Sequence, residues 1–547
     1  MAAQGFQQGF HGVFRQSMAW LHTWSGLVLS LVLYFVFVTG SFGYFNSEID
    51  HWMQPEQPAY AGTASTEALA QLGFDYLRRE APDSSRHLVG LPTERNSTFV
   101  RVFATLKTPN EAGERSFEAN LDPRTGLPAA LRDTGGGDAL YRMHYALHYM
   151  PYEVAIYIVG VATLFMLLAI ITGIVVHKKI FVDFFTLRLG KGPRSWLDSH
   201  NISSVLALPF MLMITYSGLV FYTFEYSPGV IFLGMGVDQE AQDEMYAHLY
   251  PGFEQPEPTG VEAPMIEVGG PLAVAQASWP NAQIRFMDIL HPGDEAARFR
   301  IGKTVDSVSR RASILQFSAV TGEPLTQSPA MPADAVFADS VLAMHEGRFA
   351  NYYLRWLYFL SGLLGAAMIA TGLLLWAKKR RTRLDQDTAP PRSLVFIERS
   401  NLGIIVGLPL GVAAYFWANR LLPVDLAARA EWELHCLFLV WALSFAHAGA
   451  RELTRAWREQ VGLLAALCLL LPLLNAVTTD AHLGASLQQG DWVRAGFDIT
   501  ALVFGVAMGL VWRRLTVPEP RAAIESGAKK ADAKQAVGRE ALHKAGV

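Results

Sequence analysis

Residues 19–40 read AWLHTWSGLVLSLVLYFVFVTG. The run is apolar and long enough to cross a bilayer, which takes about 20 such residues. It opens on a histidine, His22, and closes on a glycine, Gly40, 18 residues later. At 3.6 residues per turn that interval is about five turns, so an uninterrupted helix puts both on one face. Residues 199–218, SHNISSVLALPFMLMITYSG, repeat the pattern, with His200 placed 18 residues before Gly218.

The rest of the chain fits a membrane setting. It has 547 residues, of which 51% are hydrophobic and only 17% charged, with a mean hydropathy of +0.21. That is too apolar for a water-soluble protein of this size. The net charge of −4 and the clustering of basic residues in short loops argue against a nucleic-acid partner. The two cysteines, Cys436 and Cys468, lie in apolar runs, so disulfides do not hold the polar segments. No small-residue cleavage site follows the first apolar run, which is read as a retained helix rather than a signal peptide.

Eight spans are expected, near residues 19–45, 152–177, 200–225, 353–377, 395–418, 431–449, 460–478 and 493–513. The basic loops HKKIFVDFFTLRLGKGPR, AKKRRTR, ARELTRAWR and WRRL are expected to face the cytoplasm. Alternation then agrees at every crossing and puts both termini inside. The fold class is a mainly α membrane protein with two extracytoplasmic α+β modules. Its parts are a cytoplasmic N-terminus (1–18), TM1 (19–45), a first module (46–143), TM2 (144–177), a cytoplasmic loop (178–199) and TM3 (200–225). A second module (226–346), TM4 (347–377), a loop (378–394), a four-helix extension TM5–TM8 (395–513) and a disordered cytoplasmic tail (514–547) complete it.

Each module shows a helical stretch followed by strand-like runs: STFVRVFAT and RSFEANLDPRTGLP in the first, AQIRFMDIL, ARFRIGK and ASILQFSAVTGEPL in the second. The endings LDPRTGLP and FSAVTGEPL suggest one hairpin turn used twice. TM2 and TM4 both reach a Thr-Gly, Thr172-Gly173 and Thr371-Gly372, and both follow histidines: His144 and His148 before TM2, His345 before TM4. TM1 to TM4 therefore read as an internal repeat.

Equivalent histidines at two depths of a bundle are what two six-coordinate b-type haems need, each with two axial imidazoles on opposite sides of a flat macrocycle. The inner pair is read as His22 with His200, and His177 is an alternative inner ligand. The outer pair is read as His148 with His345, and His144 is the competing ligand. The glycines are read as clearance for the macrocycle, or else as sites of close helix packing. HExxH and CxxC are absent; His144 and His148, at i and i+4, could chelate zinc but no third ligand is evident, and without CxxCH any haem is non-covalent. No nucleotide-binding fingerprint lies on the cytoplasmic side, so electrons would come from a separate cytoplasmic protein or from a quinol in the bilayer.

The motifs LHTWSGL, HYALHYMPYE…ITGIVVHKKI, DFFTLRLGKGPRSWLDSHN…YSGL and MHEGRF…ATGLLLWAKK together resemble the PepSY-associated transmembrane proteins, often called iron-regulated membrane proteins. The resemblance covers roughly residues 10–380. It implies a bacterial inner-membrane protein with two PepSY-like modules and, in one branch, a ferric-siderophore reductase carrying two haems. On that reading His22, His148, His200 and His345 are axial ligands, with His144 and His177 as alternatives. The outer cleft would be rimmed by Tyr145, Tyr149, Arg348, Tyr352 and Arg355. Competing readings are a non-catalytic PepSY-type sensor or peptidase inhibitor, and a siderophore permease.

Overall fold

The computed structural model describes residues 2–516 apart from 58–63, 94–97, 111–112, most of 178–191, most of 224–255, 306, 311–312, 326–330 and 386–387; the side chains of 2–12 are likewise left aside. The expected disordered tail and most of the first basic loop lie outside the described residues.

Among the described residues seven helices are long and apolar enough to cross a membrane, eight if a bent pair is counted as one span. The pair is α1 (Ala2–Val28) and α2 (Ser30–Gly43), whose axes differ by 65° across Leu29. Two serines flank the bend. Ser25 donates its hydroxyl to the Leu21 carbonyl at 2.7 Å and Ser30 to that of Leu27 at 2.8 Å, a competition with the backbone ladder that bends helices. The straight five-turn interval expected between His22 and Gly40 is therefore interrupted.

The next elements are α3 (Asn46–Met53), α4 (Thr66–Glu80), β1 (Ser84–Gly90), β2 (Val100–Leu106), β3 (Ser116–Leu121), α5 (Gly136–Ala146) and the span α6 (Tyr152–Val176). The span α7 (Pro193–Phe221) leads to α8 (Gly269–Ser278), β4 (Ile284–Leu290), β5 (Arg298–Lys303), β6 (Ile314–Ser318), α9 (Ala333–Glu346) and the span α10 (Tyr352–Arg381). The spans start where expected, near 152 and 353, while the leading segments 144–151 and 347–351 counted with TM2 and TM4 lie outside them. His144 belongs to α5 and His345 to α9, separate helices that end before the spans begin. After α5, Leu147 and Tyr149 take positive φ (43° and 68°), and Pro151 precedes α6. After α9, Gly347 takes a left-handed φ of 62°, which glycine adopts without steric cost. Asn351 then caps α10 by accepting the Leu354 N–H at 3.0 Å.

The strands form one six-stranded antiparallel sheet in the order β3-β2-β1-β4-β5-β6. Strands β1 and β4 join its two halves, with Leu88 opposite Asp288 and Val89 opposite Met287. One face, with Val89, Val102, Met287 and Ile301, packs on Phe74 and Leu77 of α4 and Leu272 of α8. The other carries Arg86, Asp288 and Arg300 and looks toward the bundle. The expected common turn is present twice: Leu121 bridges Pro128 and Phe317 bridges Pro324, with Gly126 (φ 70°) and Gly322 (φ 78°) at equivalent places.

The C-terminal extension runs through α11 (Arg392–Leu402), a π-helical turn (Gly403–Gly407) and α12 (Leu408–Leu421), which form one span, then α13 (Arg429–Ala450), α14 (Leu453–Thr478), the short α15 (Leu483–Gln489) and α16 (Trp492–Thr516). A buried polar network ties it to α3 and α5. Tyr415 donates to the Gly136 carbonyl at 2.7 Å and Trp52 Nε1 to Asp498 at 2.9 Å, while the Arg429–Glu433 pair is fully enclosed.

Candidate functional site

Four imidazoles meet in two pairs inside the bundle formed by α1, α2, α6, α7 and α10 and the flanking helices α5 and α9. His22 and His200 have ring centres 6.3 Å apart. His144 and His345 have theirs 6.0 Å apart.

All four are held by the same device. His22 Nδ1 lies 2.8 Å from the Ala169 carbonyl, His200 Nδ1 2.9 Å from that of Met368 and His144 Nδ1 2.8 Å from that of Val36. His345 bonds the Ile214 backbone, with Ser217 Oγ 3.0 Å from its Nδ1. Each carbonyl stands four residues before a glycine: Gly173, Gly372, Gly40 and Gly218. That carbonyl already accepts the glycine's helical N–H, and its second lone pair is reachable only because no Cβ stands in the way. A Cβ on Gly173 would lie 3.1 Å from His22 Cε1, on Gly372 3.2 Å from His200 Cε1 and on Gly218 3.1 Å from His345 Cε1; on Gly40 it would overlap His144 outright. The glycines therefore clear space for a neighbouring helix's imidazole, a close contact between helices, where the sequence left clearance for a macrocycle and close helix packing both open.

A carbonyl only accepts, so Nδ1 must carry the proton in the bonds to Ala169, Met368 and Val36, which leaves Nε2 with its lone pair. Nε2 of these rings takes no hydrogen bond among the described residues. A ligating histidine is commonly arranged this way, with one nitrogen tied to a carbonyl and the other open. Metal–imidazole bonds of about 2.0–2.1 Å put two rings on opposite sides of one ion about 6.4 Å apart, centre to centre. Both pairs match that spacing. Among the described residues no group of three or more His, Cys, Asp or Glu side chains converges on a metal position. An ion between either pair would need its other ligands from a non-protein group, as a porphyrin supplies them.

The structure does not bring His148 to His345. His148 lies beyond the end of α5, stacked on Phe438 at 5.5 Å and 3.4 Å from Glu431. The chain reversal at Leu147 turns it away from the face that carries His144. His177 caps the end of α6, with Nε2 2.9 Å from Asn201 Nδ2, and stands outside both pairs.

A cavity of about 2250 Å³ surrounds the His144–His345 pair and opens to the polar face of the sheet. Gly40, Gly218, Thr163, Met166 and Phe210 line it within the bundle; Arg86, Arg101, Arg285, Arg300, Arg310 and Arg348 line it at the sheet end. Arg86 and Arg300 both pair with the buried Asp288, and Arg348 pairs with Glu346 at 2.9 Å. Burial, and then the charges of Arg348 and Arg101, hold the Arg285 guanidinium below its ordinary value. The Thr215 hydroxyl is buried in the wall without a hydrogen-bond partner among the described residues. Of the expected rim residues, Tyr145 and Arg348 line this cavity. Tyr149 instead meets His435, and Tyr352 and Arg355 line a second cavity on the far side of α10, with Arg355 paired to Glu48. The sheet arginines went unread in the sequence. Alternation along β5, with Arg298 and Arg300 on one face against Phe299 and Ile301 on the other, is the signal that exposes them.

The model of the PepSY-associated TM region matches residues 19–379. The chain belongs to that family. The match takes in both histidine pairs, the sheet and the first four spans. This PepSY-associated protein is also 24% identical over 386 residues to an uncharacterized protein of Pseudomonas aeruginosa, covering 68% of this chain and 93% of the relative.

Proposed function

We propose that this PepSY-associated protein is a di-haem membrane reductase that carries electrons along the bundle to a ferric chelate, a siderophore, bound under the sheet. The single observation that carries the reading is the pair of facing imidazoles at two depths, each tied through Nδ1 and open at Nε2. The donor set fits haem b: His22 with His200 and His144 with His345 would hold the two groups, which supply one-electron carriers when bound. The unpartnered Thr215 hydroxyl beside the second pair is consistent with an occupant there. On this reading the two halves are a duplication, the strands form two PepSY-like modules, and the sheet end faces the periplasm of a bacterial inner membrane.

The residues supply the remaining chemistry. A cavity of about 2250 Å³ exceeds the roughly 300–1,000 Å³ of a single-ligand site, which leaves room for a chelate beside a macrocycle. On the sheet face the four arginines of β1, β2, β4 and β5 outnumber the carboxylates Glu118 and Asp288, an excess of positive charge that attracts an anionic chelate. Hard oxygen donors hold Fe(II) less firmly than Fe(III), because the lower charge suits them less well, so reduction releases the metal.

The test uses the protein in vesicles, with a reductant trapped inside and a ferric hydroxamate or catecholate chelate outside. Fe(II) is expected outside at least tenfold faster than in protein-free vesicles. Equal rates would contradict the reading.

A further inference from the structure

We infer that the electron donor is an isoprenoid hydroquinol bound between α10 and the C-terminal extension, an inference that rests on reading the His22–His200 pair as haem ligands. A second cavity, of about 1490 Å³, runs along the bundle between α10, the span Arg392–Leu421, α14 and α16. Its walls are apolar over the middle of their length, with Ala367, Ala370 and Leu374 on one side and Val406, Leu464 and Met508 on the other, while Glu48, Asp50, His51, Gln57 and Asp491 line the end away from the basic loops.

Three observations specify the occupant. The first is position. Ala367 lines the cavity, and its neighbour Met368 gives its carbonyl to His200 on the opposite side of the same helix. One helix, about 10–12 Å across with its side chains, therefore separates the cavity from the inner pair. The second is the polar set at the basic end, Lys378, Glu398 and Asn401. Asn401 donates its amide to the Leu373 carbonyl at 3.3 Å, which leaves its carbonyl oxygen to accept, and Glu398 pairs with Arg381 at 3.0 Å. These acceptors suit a hydroxyl head group, while the apolar length above them suits a prenyl tail. The third is the π-helical turn Gly403–Gly407 in the facing wall, a distortion that proteins concentrate at functional sites.

The step balances. A bound hydroquinol breaks two O–H bonds and becomes the quinone. Its two electrons leave one at a time across α10 toward the inner pair, and its two protons pass by way of Glu398 to the water at the basic end. Two ferric chelates, the oxidant of the proposed reaction, are each reduced by one electron.

The test compares purified wild type with Ala367→Phe, which fills the cavity from an exposed position on α10. Solvent extraction should recover about one quinone per wild-type chain and at least fivefold less from the variant. Decylubiquinol, added anaerobically, should reduce the wild-type haem absorbance at least tenfold faster than that of the variant, while dithionite reduces both alike. Leu374→Phe repeats the comparison if the first variant does not fold. Equal quinone content and equal quinol rates, or a phospholipid recovered in place of quinone, would overturn the inference. Quinone retained by a chain without haem would support the site and refute the reductase.

Discussion

At the scale of single residues, a histidine and a glycine explain each other across a helix contact. The glycine uncovers a carbonyl, the imidazole takes it, and the ring is left with one free nitrogen aimed by a rigid backbone. Part of this was legible: the repeated spacing pairs His22 with His200 and marks Gly40, Gly173, Gly218 and Gly372. The contact itself was not, because spacing within one chain segment carries no information about which neighbouring helix fills the gap. Asp50 on α3 makes a second residue-scale case. It accepts the Gly137 N–H at 2.8 Å at the start of the helix that carries His144. Burial, working against that hydrogen bond, pushes its carboxyl up to about 6. A carboxyl whose folded value is raised favours the folded state when protonated. Its contribution is complete below about pH 4 and is lost as the pH rises through 6, by at most about 3 kcal/mol for two units. Asp50→Asn keeps an acceptor for Gly137 and removes the titration. Its Tm in detergent is expected to fall less than that of wild type between pH 5 and pH 7.5, and equal falls would contradict the assignment.

At the scale of elements, the breaks matter as much as the helices. Eight spans were legible because a bilayer demands about 20 apolar residues of each, and their observed limits lie within a few residues at most ends. The 65° bend at Leu29 was not, since it depends on serine hydroxyls in an otherwise apolar run. Nor was the end of α5. HYALHY reads as one helical face on which His144 and His148 are equivalent, and only the positive φ of Leu147 and Tyr149 separates them. Strand β1, SSRHLVG, was missed because its first four residues are all polar or charged, and it becomes a strand by lying between β2 and β4. The break after α5 gives a sharp expectation. His144→Ala should lose one of two haems while His148→Ala retains both, measured by haem absorbance per chain. The reverse pattern would restore the pairing first read from the sequence.

At the scale of the whole molecule, the parts lie in the order that the proposed electron transfer requires. The groove beside the extension runs along the bundle, and next to it the inner pair, the outer pair and the arginine-bearing face of the sheet succeed one another from the basic end to the sheet end. The sheet belongs to both halves at once, since β1 and β4 pair across its middle, so neither half alone encloses the cavity beneath it. The extension braces the outer pair through Tyr415 on Gly136 and Asp498 on Trp52. The haem content of the purified chain tests this account most directly. Protein expressed with haem in excess should carry two b-type haems per chain, with a Soret band that shifts on dithionite reduction. A folded, monodisperse preparation without that band would contradict it.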